Sequence, residues 1–168
     1  GEGEFLGRGV SYCAICDANF FREKTVCVLG DSEEAVKEAH LLTKFAAKVY
    51  LIAPAKALKV DADSPMLEPD NLEVVKGTRV KEIKGSDTVE GVELVDADGN
   101  ESILELSGVF VYIHGSKPIV DFLGEALKTG NNGCIIVNQN METSVEGVFA
   151  AGDVRCTEVR QVVLAASD

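Results

Sequence analysis

The sequence predicts an α/β chain: a parallel sheet joined to an antiparallel β-meander, then a smaller second segment. Three observations predict it. Two apolar runs, at 25–30 and 48–52, flank a helical periodicity. Short strand-like runs separated by turn residues fill 72–106. Gly115-Ser116-Lys117-Pro118 then punctuates the chain and divides it into residues 1–116 and 117–168.

The first run, Thr25-Val26-Cys27-Val28-Leu29-Gly30, is nearly continuous and ends in glycine, as a parallel strand buried on both faces does. Asp31 and Ser32 are N-cap residue types, and Glu33 and Glu34 suit a first helical turn. Ala35, Ala39, Leu42 and Ala46 recur at helical spacing, and Lys48–Ile52 is the second strand. Strand, tight turn, helix and strand make a βαβ unit. Pro54, Pro65 and Pro69 exclude a long helix from 53–70 and leave a loop with at most a short helical turn.

The runs Leu72–Val75, Val80–Ile83, Val89–Val95 and Ile103–Leu106 predict the meander, and Gly108–Ile113 is expected to rejoin the parallel sheet. In the second segment, Cys134–Val137 reads as a strand and Gly147–Ala151 as a buried strand ending at Gly152-Asp153. A helix is expected from Val159 to Ala166.

Composition excludes several classes of function. Apolar residues form 46% of the chain, enough for a real core, and no apolar run is long enough to span a bilayer. The net charge of −12 argues against a nucleic-acid or anionic-membrane surface. No basic, apolar leader opens the residues, which predicts a cytoplasmic location. The five cysteines are an odd number, unlike a secreted disulfide framework. Cys27 and Cys134 fall in strand-like runs and read as small core residues, whereas Cys156 lies in a polar stretch with no visible role.

The chemistry concentrates in Tyr12-Cys13-Ala14-Ile15-Cys16-Asp17. Two thiols one helical turn apart can close into a disulfide and open again, with the Asp17 carboxylate beside the second. The same spacing is half of a structural zinc site, which needs four ligands. The other cysteines are single, and His40 and His114 show no ligand spacing, so no metal is expected. Asp17 fits either an acid–base role or a cap on a following helix.

The segment Gly7–Asp17 resembles the dithiol segment of low-molecular-weight thioredoxin reductases. Residues 25–52 resemble that family's nicotinamide-binding unit, and Gly147–Val154 with Arg160-Gln161 resembles its C-terminal flavin-binding segment. The resemblance implies a Rossmann-like three-layer domain over 1–116 and part of an FAD-binding domain over 117–168, a piece of a longer protein. It further implies a flavin-dependent thiol–disulfide oxidoreductase that passes electrons from reduced FAD to thioredoxin or a similar dithiol protein. By that resemblance Cys16 faces the flavin, Cys13 attacks the protein substrate and Asp17 manages the thiol proton. Gly152, Asp153, Arg160 and Gln161 would hold FAD, and the full-length protein would be a homodimer.

The chain departs from this pattern at the dinucleotide turn, which requires G-x-G-x-x-G or G-x-G-x-x-A. Gly30 and Ala35 stand at the first and last positions, but Ser32 replaces the second glycine. Asp31, Glu33 and Glu34 add carboxylates where a pyrophosphate would sit; at an effective dielectric of about 20, two charges roughly 4 Å apart repel by about 4 kcal/mol. After the second strand, Ala53-Pro54-Ala55-Lys56-Ala57 carries neither a basic cluster for a 2′-phosphate nor an acid for a ribose, with only Lys56 and Lys59 near. The expectation is a nicotinamide-type fold that binds NADPH poorly or not at all, with ferredoxin or another donor in its place. The alternatives are an NADPH enzyme with an atypical turn and a non-catalytic scaffold that docks partners through its acidic surface.

Overall fold

The computed structural model describes residues 1–113, 120, 126–130, 133–157 and 159–168. The chain forms two compact units, Gly1–Gly115 and Ser116–Asp168. His114 and the expected boundary at 115–118 lie outside the described residues.

In the first unit the βαβ reading holds: β2 (Thr25–Leu29), α2 (Glu33–Leu42) and β3 (Lys48–Ala53), with Val28 opposite Leu51 in parallel register. Gly108–Val111 forms β8 and does rejoin this sheet, beside β2. A two-residue strand, β1 (Val10–Ser11), pairs on the other side of β8, and it is too short for any periodicity to have announced it. The loop after β3 carries a single short 3₁₀ turn, Pro65–Leu67.

One expectation for the meander is corrected. Leu72–Lys76, strand β4, pairs in parallel with β3 and closes a five-stranded sheet of order β1-β8-β2-β3-β4. Its partly buried Leu72 and Val74 pack on the α2 side and Val75 on the opposite side, so β4 needs a layer on each face. The antiparallel sheet therefore has three strands: β5 (Arg79–Gly85), β6 (Val89–Val95) and β7 (Glu101–Glu105).

The pleat of the parallel sheet sorts its residues into two cores. Val26, Val28, Val49, Leu51 and Phe110 pack with Ala35, Val36, Ala39 and Leu42 of α2. Cys27, Leu29, Ile52 and Val109 pack with Ile83, Val89, Val92 and Leu94 of the meander. The unit is thus helix, parallel sheet and antiparallel sheet in three layers, and β2 is buried on both faces, as its continuous apolar run requires. Cys27 is buried and free, and burial pushes its thiol pKa up, so it behaves as a small apolar side chain.

The second unit departs from expectation. Cys134–Val137 and Gly147–Ala151 are not strands; among the described residues only single bridges occur, such as Ile135 with Arg155 and Glu142 with Phe149. Phe149 is 62% exposed, while Ala150 beside it is buried and Val148 packs against the same small cluster, so the run is only partly covered. An apolar run becomes a strand only when neighbours supply a ladder on its edges and a layer on its face, and a single bridge supplies neither. The final helix, α3, runs Val162–Ser167 and starts later than expected because Gln161 is extended and takes the N-cap position.

Candidate functional site

Cys13 and Cys16 are joined in a disulfide whose Cα atoms lie 5.3 Å apart. The spacing works because Ala14–Asp17 form one turn, α1, with Cys13 as its extended N-cap. The main-chain N–H groups of Cys16 and Asp17 both donate to the Cys13 carbonyl, at 3.2 Å each. Cys16 is exposed and Cys13 half-buried.

Asp17 does not cap the following 3₁₀ turn, Ala18–Phe21. Its carboxylate accepts instead from the Ser11 hydroxyl at 2.6 Å, while the Ser11 oxygen accepts from the Cys13 N–H at 3.0 Å. Ser11 therefore ties the acid to the dithiol from β1, the strand the sequence did not announce. Ser11 and Asp17 also border a groove of ≈ 410 Å³ with Arg8 and Lys24, which keeps the carboxylate in contact with solvent. Sequence reasoning passed over Ser11. Its position two residues before the first cysteine was the available signal, since serine there can close a local side-chain turn.

Two further residues that sequence reasoning passed over reach the dithiol turn. The Tyr112 hydroxyl, just beyond β8, accepts from the Ala14 N–H at 2.9 Å, and Glu38 of α2 interacts with that hydroxyl.

The nucleotide-type turn is closed by its own side chains. The Ser32 hydroxyl accepts from the Ala35 N–H at 3.2 Å, taking one of the helix N-terminal donors that would bind a phosphate. Asp31 forms an ion pair with Lys59 at 3.0 Å, and the Lys59 N–H donates to the Asp31 carbonyl at 2.8 Å. Glu33 pairs with Lys37 at 2.8 Å. These pairs relieve part of the repulsion expected from sequence, and they also draw the loop after β3 against the turn. Gly30 keeps the glycine-only backbone that the motif's first position needs, with φ of +150°.

In the second unit Gly152 has φ of +75° and begins a 3₁₀ turn, Gly152–Val154, that leaves the Asp153 carboxylate exposed. Arg160 and Gln161 are half-buried just before α3. The Gly152 N–H donates to the Asp168 side chain at 2.8 Å, and Arg155 pairs with the same carboxylate.

A second disulfide, Cys134–Cys156, was not legible in the sequence, because 22 residues separate its halves. Ile135 and Arg155 form a parallel bridge between them, and the Cys156 N–H donates to the Ile135 carbonyl at 2.9 Å. Cys134 is buried, as expected, but it is not a free core thiol. Closing a loop of about that length contributes roughly 3 kcal/mol in the chain-entropy account. Replacing both cysteines with alanine is expected to lower the denaturant midpoint of the second unit accordingly, leaving the Cys13–Cys16 pair intact by disulfide mapping.

Residues 1–168 match the family model described as pyridine nucleotide-disulphide oxidoreductase. The chain is 45% identical to a thioredoxin reductase of Aquifex aeolicus, over 99% of this chain and 53% of that protein. It superposes on a thioredoxin reductase from Giardia duodenalis with a TM-score of 0.88 and 32% identity, over 99% of this chain and 56% of the other. It also resembles a ferredoxin-flavin thioredoxin reductase from Clostridium acetobutylicum (TM-score 0.54, 35% identity, 99% of this chain and 53% of the other). The chain spans about half the length of the curated relatives it matches. Among the described residues no helix is long and apolar enough to cross a membrane. With its dithiol turn, its three-layer unit and a match along its whole length, the chain belongs to the pyridine nucleotide-disulphide oxidoreductase family.

Proposed function

We propose that the full-length protein is a flavin-dependent disulfide reductase acting on thioredoxin or a similar small dithiol protein. The observation that carries this is the Cys13–Cys16 disulfide, closed across one exposed helical turn with a carboxylate fixed beside it by Ser11. The first unit is the nicotinamide-type, dithiol-bearing domain, and the second belongs to the FAD-binding domain. Gly152, Asp153, Arg160 and Gln161 fit that cofactor. With its positive φ and no Cβ, Gly152 would let the main chain approach the cofactor, the exposed Asp153 carboxylate would accept from a ribityl hydroxyl, and Arg160 and Gln161 would help hold the ring. When bound, the reduced flavin supplies two electrons.

Within the chain, those electrons break the Sγ–Sγ bond and give two thiol groups after uptake of two protons. Asp17, next to Cys16 and held through Ser11, moves the proton that interconverts thiol and thiolate. The Cys13 thiolate attacks the substrate disulfide and expels one substrate thiolate. Cys16 then attacks Cys13 Sγ, releasing the second substrate thiolate and restoring the disulfide. The exposed Cys16 also suits its assignment to the flavin side.

The electron donor in this reading is not NADPH. Ser32 uses the helix N-terminal donor for its own cap, and the Asp31–Lys59 pair ties a loop against the turn. Gly30, Ser32 and Ala35 form a turn that keeps the nucleotide-binding shape without its anion site. Reduced ferredoxin is the favoured donor class, the cytoplasm the favoured location and a homodimer the favoured assembly. The test is stopped-flow reduction of the full-length flavoprotein by NADPH, NADH and reduced ferredoxin in parallel. Bleaching by ferredoxin and not by NADPH is the expected result. Fast bleaching by NADPH would restore the conventional donor and overturn this assignment of the turn.

A further inference from the structure

α1 has a single turn, so its N–H groups depend on outside acceptors. Cys13, its N-cap, offers no side-chain acceptor. The Cys13 N–H is met by Ser11, and the next one, Ala14, by Tyr112 from the end of β8, at 2.9 Å. Tyr112 is itself fixed, since its N–H donates to the Leu29 carbonyl at 2.8 Å and its side chain packs on the α2-side core.

A tyrosine hydroxyl has one proton to give. Its oxygen accepts from Ala14, which leaves its proton free for a second acceptor, and Glu38 on α2 is the carboxyl that interacts with it. The second Glu38 oxygen, Oε2, is buried and has no hydrogen-bond partner among the described residues. A carboxylate with a buried, unpartnered oxygen is a costly group to place on a helix. Nothing in the packing of α2 requires it, because the apolar face of the helix is already complete with Ala35, Val36, Ala39 and Leu42.

We propose that Tyr112 and Glu38 are positioning residues for the dithiol: Tyr112 caps the Cys13–Cys16 turn, and Glu38 aims the Tyr112 hydroxyl at it. Ionised Glu38 can only accept, so it holds the hydroxyl proton and leaves the Tyr112 lone pair for Ala14. Protonated Glu38 can donate, competes for that lone pair and loosens the cap. The strut thus links the dithiol turn to a proton on α2.

The groups around Glu38 agree with this. Burial raises its pKa above the ordinary carboxylate range, and the like charge of Glu34 raises it further. From β8, Tyr112 is the polar group facing it, and burial raises that hydroxyl's pKa too, which keeps it a donor. From α1 the nearest acid is Asp17, whose carboxylate is engaged by Ser11. The His40 ring lies against the Met66 carbonyl at 3.2 Å, and Lys37 is paired with Glu33.

The proposal rests on the dithiol being redox-active, and its test separates the two. The full-length protein, Tyr112→Phe and Glu38→Gln are compared by two readouts. One is hydrogen exchange at the Ala14 amide across pH, and the other is the pH profile of turnover with the artificial disulfide DTNB. In the wild type, Ala14 protection and turnover both fall as pH drops through the titration of Glu38. Glu38→Gln keeps an acceptor for Tyr112, so its Ala14 stays protected at low pH, and its turnover keeps only the acid-side fall that thiol protonation sets. Tyr112→Phe loses roughly tenfold in Ala14 protection at every pH.

A raised pKa in the folded state means that ionised Glu38 costs stability above that pKa. Glu38→Gln therefore melts no lower than wild type at pH 8, which keeps the comparison valid if Tyr112→Phe fails to fold. Unchanged Ala14 protection in Tyr112→Phe would overturn the proposal, as would an acid-side fall of Ala14 protection persisting in Glu38→Gln. A protein that reduces no disulfide yet shows the exchange effects would refute the function and leave the strut standing.

Discussion

Replacing Cys16 with serine in the full-length protein abolishes multiple turnover, by a factor of at least about 1,000, while the thermal midpoint stays close to that of wild type. The two halves of that expectation have different origins. Activity falls because the remaining thiol of Cys13 can attack a substrate disulfide once but has no partner to release the product. Stability holds because Cys16 is exposed and the disulfide closes only one helical turn, where Ser11 and Tyr112 already fix the backbone. The companion variant assigns the roles. If Cys13 is the attacking thiol, Cys16→Ser traps a mixed disulfide with thioredoxin, visible by mass spectrometry, and Cys13→Ser does not. Trapping by Cys13→Ser alone would reverse the assignment.

Gly30→Val is expected to destabilise the first unit by about 4 kcal/mol or more, close to the whole stability of a typical domain. Two independent penalties meet there. The backbone sits at φ of +150°, a conformation that β-branched residues avoid. A Cβ would also lie 2.7 Å from the Tyr112 carbonyl oxygen and 2.9 Å from the Ala35 Cβ. Neither neighbour can give way. Tyr112 is hydrogen-bonded to Leu29, Ala35 is fully buried, and the Gly30 N–H is itself bonded to the Ile52 carbonyl. Urea denaturation of the variant beside Gly99→Ala checks the reasoning. Gly99 has φ of +86° but open space around its missing Cβ, so that change costs only about 1 kcal/mol. Similar losses at both sites would show that the contact at Gly30 is less constrained than its geometry indicates.

Much of this fold was legible because its signals are local. The apolar run of β2, the cap at Ser32 and the spacing of Ala35, Ala39 and Leu42 each fit within a few residues, and together they gave the βαβ unit. The misplaced β4 illustrates the limit. Whether Leu72–Lys76 pairs with β3 or with β5 depends on where the preceding loop delivers it, and strand propensity carries no information on that. The second unit failed for a related reason. The run around Phe149 has the composition of a strand, but pairing needs partners on its edges.

The candidate site divides in the same way. Cys13, Cys16 and Asp17 are contiguous and could be read directly. Ser11 was close enough to be inferred, but Tyr112 lies 98 residues from Ala14, and only the order β1-β8-β2 brings the two together. Glu38 was hidden differently, as one more acid on an acidic helix. Its burial and its unpaired oxygen, rather than its identity, mark it out.

Cys27, sealed between the two sheets, has a practical consequence for studying this protein. Within these residues it makes native thiol counting an instrument with a clean zero. With both disulfides closed, a water-soluble alkylating reagent finds no target in these residues until the fold opens. Two labels then report reduction of one disulfide, assigned to Cys13–Cys16 or Cys134–Cys156 by peptide mapping, and a label on Cys27 reports opening of the fold, so one digest separates a redox event from an unfolding event.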